Sequence, residues 1–247
     1  MNVLVLQHIA CEPPGVFEDV LRERGATLLR VELDEGESLP SSLAGIDAIV
    51  AMGGPMSVND ERDHPWLVAE KALIAEAVRG GMPFWGSCLG VQLLASSLGA
   101  SVVRGALPEV GILSVHATPE ALVDPVFAGL AWPRPTLQWH QDTFDLPEGA
   151  TLLATSPAYP NQAFRVGDVA YGVQFHVEVD EAMAEEWADV PAYIASADAV
   201  LGAGGLDRLL AEFRASMVEM QADGRTLFSR WVDLWDSAAS ARSAGDP

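Results

Sequence analysis

The hydrophobic positions of the first hundred residues alternate between short apolar runs and stretches with helical spacing. Short apolar runs bounded by turn residues indicate buried strands, and apolar residues spaced three or four apart indicate amphipathic helices. The predicted elements are strands over 1–7, 26–31 and 47–52, a strand-like run from 83, and helices over 15–24, 65–79 and 89–98. This alternation predicts an α/β fold with a mainly parallel central sheet and helices on both faces.

Between residues 110 and 175 the pattern changes to short β-like runs with no helical stretch between them. These runs cover 112–116, 136–139, 151–155, 163–166 and 169–175. They predict a small antiparallel extension of the sheet, after which the chain returns to the parallel part.

Residues 180–247 are rich in alanine, leucine and acidic residues, and they predict two or three helices with a break around 202–205. Two apolar stripes at helical spacing indicate packing against the main domain, with a lid or a protein-docking surface as the alternative. From residue 237 onward the composition predicts a frayed tail. We interpret residues 1–247 as one domain, with a catalytic core over 1–179 and an acidic helical C-terminal extension over 180–247. The stripes consist of Phe213, Met217 and Met220, and of Phe228, Trp231 and Trp235.

The composition is that of a globular protein with a strongly acidic surface. Hydrophobic residues make up 49% of the chain and charged residues 20%, which excludes a disordered chain. The net charge of −21, with Lys71 as the only lysine, disfavours nucleic acid and anionic lipid as partners. No membrane span or secretion signal is apparent, and two cysteines in 247 residues fit a reducing compartment, so we expect a cytoplasmic location.

The segment from Trp85 to Gln92 places one cysteine, Cys88, between two glycines, after a strand-like run and before a helix. At such a strand-to-helix turn, backbone N–H groups converge and favour a thiolate. Gly86 and Gly90 suit the sharp turn, as in the serine pattern G-x-S-x-G. The pattern predicts a nucleophile, and a buried structural cysteine is the alternative.

A histidine and a glutamate follow the last strand-like run. We predict that the strand continues through His176 and Glu178, which would place both side chains on one face. A carboxylate beside an imidazole fixes its tautomer and stabilises the imidazolium, as a general base requires. One alternative is that the two residues simply form a hydrogen-bonded pair at the rim of the sheet. The other is a metal site, which has little support because no further cysteine or histidine lies at ligand spacing.

Paired glycines follow the third predicted strand. At Gly53 and Gly54, main-chain N–H groups can face a ligand without an intervening side chain. Acyl transfer needs such donors for its oxyanion, and the N–H groups of Gly54 and Leu89 are the natural pair. A simple Gly-Gly-Pro turn is the alternative.

Together, the stretches from Gly53, Gly86 and Gly172 resemble class I, triad-type glutamine amidotransferase domains, most nearly the glutaminase domain of GMP synthetase. The likeness extends from residue 1 to about 179 and implies a flavodoxin-like fold. It implies Cys88 as nucleophile, His176 as base and acid, Glu178 as its orienting group, and an oxyanion hole at Gly54 and Leu89. It also implies substrate contacts, with no metal and no cofactor. The implied substrate-binding residues are Gly53, Gln92, Trp139, His140 and Gln141.

The sequence departs from the family pattern at Ser87, Val91, Val177 and Gln141, and none of these departures removes a reacting group. These departures leave the substrate open. One interpretation is a glutaminase component that passes ammonia to a separate synthase. The alternatives are a stand-alone hydrolase or peptidase of γ-glutamyl compounds and a binding module without turnover.

Overall fold

The computed structural model describes the backbone of residues 1–243 and the side chains of residues 1–236. Within these residues the chain forms nine strands and six helices. The strands are β1 Asn2–Gln7, β2 Thr27–Glu32, β3 Ala48–Ala51, β4 Phe84–Ser87, β5 Val102–Ala117, β6 Arg134–Phe144, β7 Thr151–Thr155, β8 Ala163–Val166 and β9 Ala170–Val173. The helices are α1 Val16–Glu23, α2 Trp66–Arg79, α3 Leu89–Ser97, α4 Glu181–Trp187, α5 Pro191–Leu201 and α6 Gly205–Ser243.

All nine strands belong to one sheet, in the order β2-β1-β3-β4-β9-β8-β7-β5-β6. The first five are parallel, and their central members are buried on both faces, which explains the continuous apolar runs in the sequence. The remaining four pair antiparallel. The predicted α/β class, the mainly parallel sheet and its antiparallel extension are thus confirmed.

Two predicted strands are much longer than their apolar runs. The run at 112–116 belongs to the 16-residue β5, and the run at 136–139 belongs to the 11-residue β6. Their hairpin extends past the core, where exposed polar residues interrupt the apolar pattern, and its register shifts between Arg104 and Glu109. Because β6 is an edge strand, it also tolerates Pro135.

Helices cover both faces of the sheet. On one face α1 and α6 pack around Trp85, whose ring contacts Phe228 and Trp231. On the other face α2 and α3 pack over β1, β3 and β4. Both predicted stripes of the C-terminal helices are buried or partly buried, which confirms their packing role.

The helical prediction for the C-terminal residues is also confirmed, with α4, α5 and α6 as three helices. Helix α6 continues to residue 243, so the predicted frayed tail is helical up to that point, and 244–247 lie outside the described residues. None of the helices in the described part of the chain is both long and apolar enough to span a bilayer.

The fold brings three sequence motifs to one edge of the sheet. Strands β3, β4 and β9 are parallel neighbours, so their carboxyl ends lie side by side. Gly53 follows β3, Cys88 follows β4 and His176 follows β9. Ligands of open α/β sheets bind at this edge.

Candidate active site

Cys88 lies at a strained turn between β4 and α3. Its backbone has φ 51° and ψ −105°, and it is the only non-glycine residue with positive φ among the described residues. Such strain costs of order 1–3 kcal/mol and persists where surrounding structure enforces it. Here the Cys88 N–H donates to the carbonyl of Val173 at 2.8 Å, which fixes the turn against β9.

The two glycines around Cys88 are required by close backbone packing. A Cβ at Gly86 would approach the backbone of Gly90 to 2.5 Å, and a Cβ at Gly90 would approach the carbonyl oxygen of Ala51 to 2.1 Å. Either side chain would force α3 away from the sheet. The turn therefore has the tight geometry that the sequence pattern predicts.

His176 and Glu178 form a buried pair, although the strand predicted to carry them is wrong. Strand β9 ends at Val173, and His176 lies in a bent segment held to β6 by one bridge with Leu137. The carboxylate of Glu178 folds back, with Oε1 2.7 Å from His176 Nδ1 and Oε2 accepting from the Val177 N–H at 2.9 Å. The side chains of His176 and Glu178 therefore lie close together because the chain turns there. At the edge where β9 ends, no partner strand continues its ladder.

The imidazole of His176 is hydrogen-bonded to Glu178 and also interacts electrostatically with the Cys88 thiol. Burial alone would lower the pKa of His176, but Glu178 and then Cys88 outweigh it and hold that pKa well above its usual range. Burial raises the pKa of the Cys88 thiol, against the opposing effect of His176. The thiol and the imidazole therefore titrate as a coupled pair.

Gly54 and Leu89 lie next to each other beside the nucleophile. A Cβ at Gly54 would meet the Leu89 side chain at 3.2 Å. The Leu89 N–H is the first of α3 and, like the Gly54 N–H, donates to no acceptor in the part of the chain that the structure describes. Of these two residues, Gly54 lines the cavity that opens over Cys88.

A cavity of about 490 Å³ opens over Cys88. Four of the predicted binding residues line it, namely Gln92, Trp139, His140 and Gln141, whereas Gly53 lies behind Gly54. The Gln92 amide donates to Gln174 Oε1 at 3.0 Å, and Gln174 Nε2 lies 3.5 Å from Cys88 Sγ. Gln92 therefore orients a second glutamine that contacts the nucleophile, a role the sequence pattern did not indicate.

The part of strand β6 beside the cavity is held by a buried network around Glu109 of β5. His140 Nε2 lies 3.0 Å from Glu109 Oε2, while Ser156 and Gln162 donate to the same carboxylate at 2.8 and 2.7 Å. Burial would raise the pKa of Glu109, but the bonds from His140 and Ser156 outweigh it and lower the pKa. Gln141 Nε2 donates to the Gly105 carbonyl at 2.9 Å, which is a further tie between β6 and β5.

The C-terminal helices form another wall of the site, whereas the sequence pattern favoured packing against the main domain and left a lid or a docking surface as the alternative. Trp187 of α4 lies edge-on to the ring of His176, with centroids 4.7 Å apart. Tyr193 and Ser196 of α5 line the cavity, and Trp139 Nε1 donates to Ser196 Oγ at 2.7 Å. The extension thereby shields the imidazole from solvent.

Three further charged residues near the site were missed. The carboxyl of Glu12 is buried beside His176, burial raises its pKa, and it accepts a hydrogen bond from the Tyr193 hydroxyl. His8 is fully buried behind Gly53. Of the described residues, Arg104 is the only arginine or lysine lining the cavity. His8 and Glu12 follow β1, so the rule that ligands gather at carboxyl ends of strands, applied to β1, could have found them.

Metal ligands are not grouped at this site. Within the described residues, no three histidine, cysteine, aspartate or glutamate side chains are placed to hold an ion. The geometry is that of a buried thiol, an imidazole and a carboxylate in series beside free N–H donors. That arrangement serves nucleophilic acyl transfer.

Comparison with known proteins agrees with this geometry. The sequence model of the family described as Glutamine amidotransferase class-I matches residues 16–186. The chain therefore belongs to the class-I glutamine amidotransferase family.

Individual relatives cover most of the chain. It is 33% identical over 181 residues to the glutamine amidotransferase-like protein YfeJ of Salmonella typhimurium, covering 72% of this chain and 76% of that protein. It is 34% identical over 142 residues to one subunit of the glutamine-hydrolysing GMP synthase of Sulfurisphaera tokodaii, covering 56% and 70%. A crystal structure of a glutamine amidotransferase from Thermotoga maritima superposes with a TM-score of 0.80 at 33% identity, covering 94% and 98%.

Proposed function

We propose that this chain hydrolyses the side-chain amide of glutamine through a covalent γ-glutamyl thioester. The observation that carries the proposal is the buried series Cys88, His176 and Glu178, closed by the 2.7 Å bond between His176 Nδ1 and Glu178 Oε1. Family membership supports the same reaction class. The positive φ of Cys88 adds the strained turn that presents a nucleophile.

The first half-reaction transfers the glutamyl group to sulfur. The Cys88 proton passes to His176 as sulfur attacks the γ-carbonyl carbon, and the resulting oxyanion accepts hydrogen bonds from the N–H groups of Gly54 and Leu89. His176 then gives this proton to the amide nitrogen, the C–N bond breaks, and ammonia leaves. Glu178 stabilises the imidazolium during the transfer.

The second half-reaction regenerates the thiol. Water gives a proton to His176 while its oxygen attacks the thioester carbon, and the same two N–H groups hold the second oxyanion. The C–S bond then breaks, sulfur recovers the proton from His176, and glutamate is released. Trp187 covers the imidazole and limits competing contact with bulk water.

We further propose that the ammonia serves a separate synthase. The chain spans about a quarter of the length of the full-length GMP synthases it matches, such as that of Porphyromonas gingivalis. The relative from Sulfurisphaera tokodaii is named as one subunit of its enzyme, which supports a glutaminase that works beside a second chain. Glutamine hydrolysis would then rise when the partner binds.

A stand-alone γ-glutamyl hydrolase or peptidase is the second candidate. The observation in its favour is the cavity of about 490 Å³, which lies in the range that accommodates ligands larger than one amino acid. Arg104 lines the cavity and could pair with a carboxylate on the leaving amine.

A substrate panel separates the two candidates. We expect the purified chain to release ammonia from glutamine with a kcat/KM at least tenfold above that for γ-glutamyl dipeptides, because in the proposed glutaminase the leaving group is ammonia and not a second amino acid. A coupled assay of glutamate release measures both kcat/KM values. Efficient peptide cleavage with negligible glutamine hydrolysis would instead favour the peptidase.

Covalent labelling tests the nucleophile directly. We expect a glutamine analogue with a diazoketone in place of the amide to modify Cys88 and to leave Cys11 unmodified. Burial raises the pKa of Cys11 to about 11, and its loop contains no imidazole bonded to sulfur. Peptide mass mapping gives the modified position, and label on Cys11 at a comparable rate would contradict the assignment.

A further inference from the structure

A buried histidine and glutamate lie directly behind the oxyanion loop, outside the triad. His8 follows β1, and both it and Glu70 of α2 are fully buried. His8 Nε2 is 2.9 Å from Glu70 Oε1, and His8 Nδ1 is 3.1 Å from the carbonyl oxygen of Gly53. Trp66, one turn before Glu70 on the same helix, stacks on the imidazole with centroids 5.6 Å apart.

The partners of His8 determine where its protons lie. The Gly53 carbonyl can only accept, so Nδ1 must carry a proton and donate it. The other ring nitrogen shares a proton with the Glu70 carboxyl, whichever of the two groups holds it. Burial alone would lower the pKa of His8, but Glu70 outweighs it and raises the pKa. The Gly53 carbonyl thus receives a hydrogen bond from His8 Nδ1, while Glu70 holds the opposite side of the ring.

Because the peptide bond is planar, the contact between His8 and the Gly53 carbonyl also affects the direction of the Gly54 N–H. In a trans peptide the carbonyl of one residue and the N–H of the next point in opposite directions. Because the Gly53 carbonyl points to His8, the N–H of Gly54 points away from His8. Gly54 lines the cavity together with Cys88. A proton donor on the Gly53 oxygen also polarises the shared peptide unit and makes its N–H a stronger donor.

We propose that Glu70 and His8 form a relay that aims and polarises the Gly54 N–H as an oxyanion donor. His8 is a positioning residue in this scheme, since it acts through the Gly53–Gly54 peptide and touches no reacting atom. The inference rests on the proposed acyl-transfer function and deepens it.

Three variants separate the relay from simple packing. His8→Asn places an amide nitrogen near the position of Nδ1, so it can still donate to Gly53 but cannot reach Glu70. His8→Gln places its amide near Nε2, so it can reach Glu70 but not Gly53. Glu70→Gln retains a neutral His8 that donates to Gly53 without the charge.

The relay predicts an order of activities. With glutamine as substrate, we expect kcat to fall about a hundredfold in His8→Gln and about tenfold in His8→Asn and Glu70→Gln, with KM changed less than about threefold. Alkylation of Cys88 by iodoacetamide forms no oxyanion, so its rate should stay within about twofold of wild type. Equal losses in both histidine variants, unchanged kcat in all three, or a parallel fall in alkylation would overturn the relay.

A second measurement is independent of turnover. The ¹⁵N shift of the Gly54 amide reports the hydrogen bond on the Gly53 carbonyl, and we expect His8→Gln to move it clearly more than His8→Asn does. Identical shifts in wild type and His8→Gln would refute the relay. If the wild-type chain released nothing from glutamine or from γ-glutamyl peptides, the proposed function would fail, and the shift would still decide the relay.

Discussion

Replacing Cys88 with alanine is expected to lower kcat for glutamine by about 10⁴-fold or more, because no other group can form the thioester. The N–H donors of Gly54 and Leu89 remain, so any residual rate reflects polarisation of the carbonyl without a covalent step. His176→Ala should approach the same loss, since the thiol then has no proton acceptor. Steady-state ammonia release and intact-protein mass spectrometry of trapped thioester measure the two losses separately.

Cys11→Ala is the matched control for that substitution. Cys11 is the other cysteine of the chain, it is equally buried, and its structural contact is a carbonyl oxygen that accepts from Trp187 Nε1 at 2.9 Å. Removing its side chain leaves that backbone contact in place, so kcat should stay within about twofold of wild type. Turnover that survives in Cys88→Ala, or is lost in Cys11→Ala, contradicts the nucleophile assignment.

The sequence predicts the parallel half of the fold well. There the two local signals, short apolar runs for strands and helical spacing for helices, both agree with the structure. Strands such as β3 are buried on both faces, so every residue of the strand is apolar and the run stands out in the sequence. The antiparallel hairpin of β5 and β6 is predicted less well. Its outer part projects beyond the core, where burial no longer selects apolar residues, and the regular register of the two strands is interrupted between Arg104 and Glu109.

The reacting residues are predicted from local sequence, whereas their surroundings are not. Cys88 owes its conformation to glycines two residues away on each side, so the motif itself carries the signal. The contact between Trp187 and His176, by contrast, arises only once α4 folds over the end of β9. The relay from Glu70 to Gly53 likewise spans three elements distant in sequence, and no local pattern records it.

Removing the charge of Glu178 tests how the imidazole is held. In Glu178→Gln we expect kcat to fall on the order of 10³-fold. Both carboxylate oxygens accept hydrogen bonds, from His176 Nδ1 and from the Val177 N–H, whereas an amide has only one accepting atom. Either the backbone N–H or the imidazole then faces an NH₂ group, which favours the wrong tautomer of His176. Glu178→Ala should also retain a measurable residual rate, because the thiol and imidazole remain.

The pH dependence of this variant has a definite sign. Glu178 raises the pKa of His176, and Cys88 and His176 release their protons as a coupled pair. Losing a negative charge beside the pair favours each more deprotonated form, whichever group gives up the proton. Both limbs of the kcat/KM profile should therefore move to lower pH in Glu178→Gln. The other charged or titratable groups around the imidazole, Glu12, His8 and Tyr193, are unchanged in this variant.

Glu109→Gln supplies the matched control for the shift. Glu109 also binds a buried histidine, His140, at 3.0 Å, but this pair joins strands β5 and β6 beside the cavity and does not contact Cys88. We expect Glu109→Gln to change KM and to leave both limbs of the profile in place. A profile that moves equally in the two variants would mean that the limbs report a group other than the Cys88–His176 pair, and the role of Glu178 as its orienting carboxylate would then be wrong.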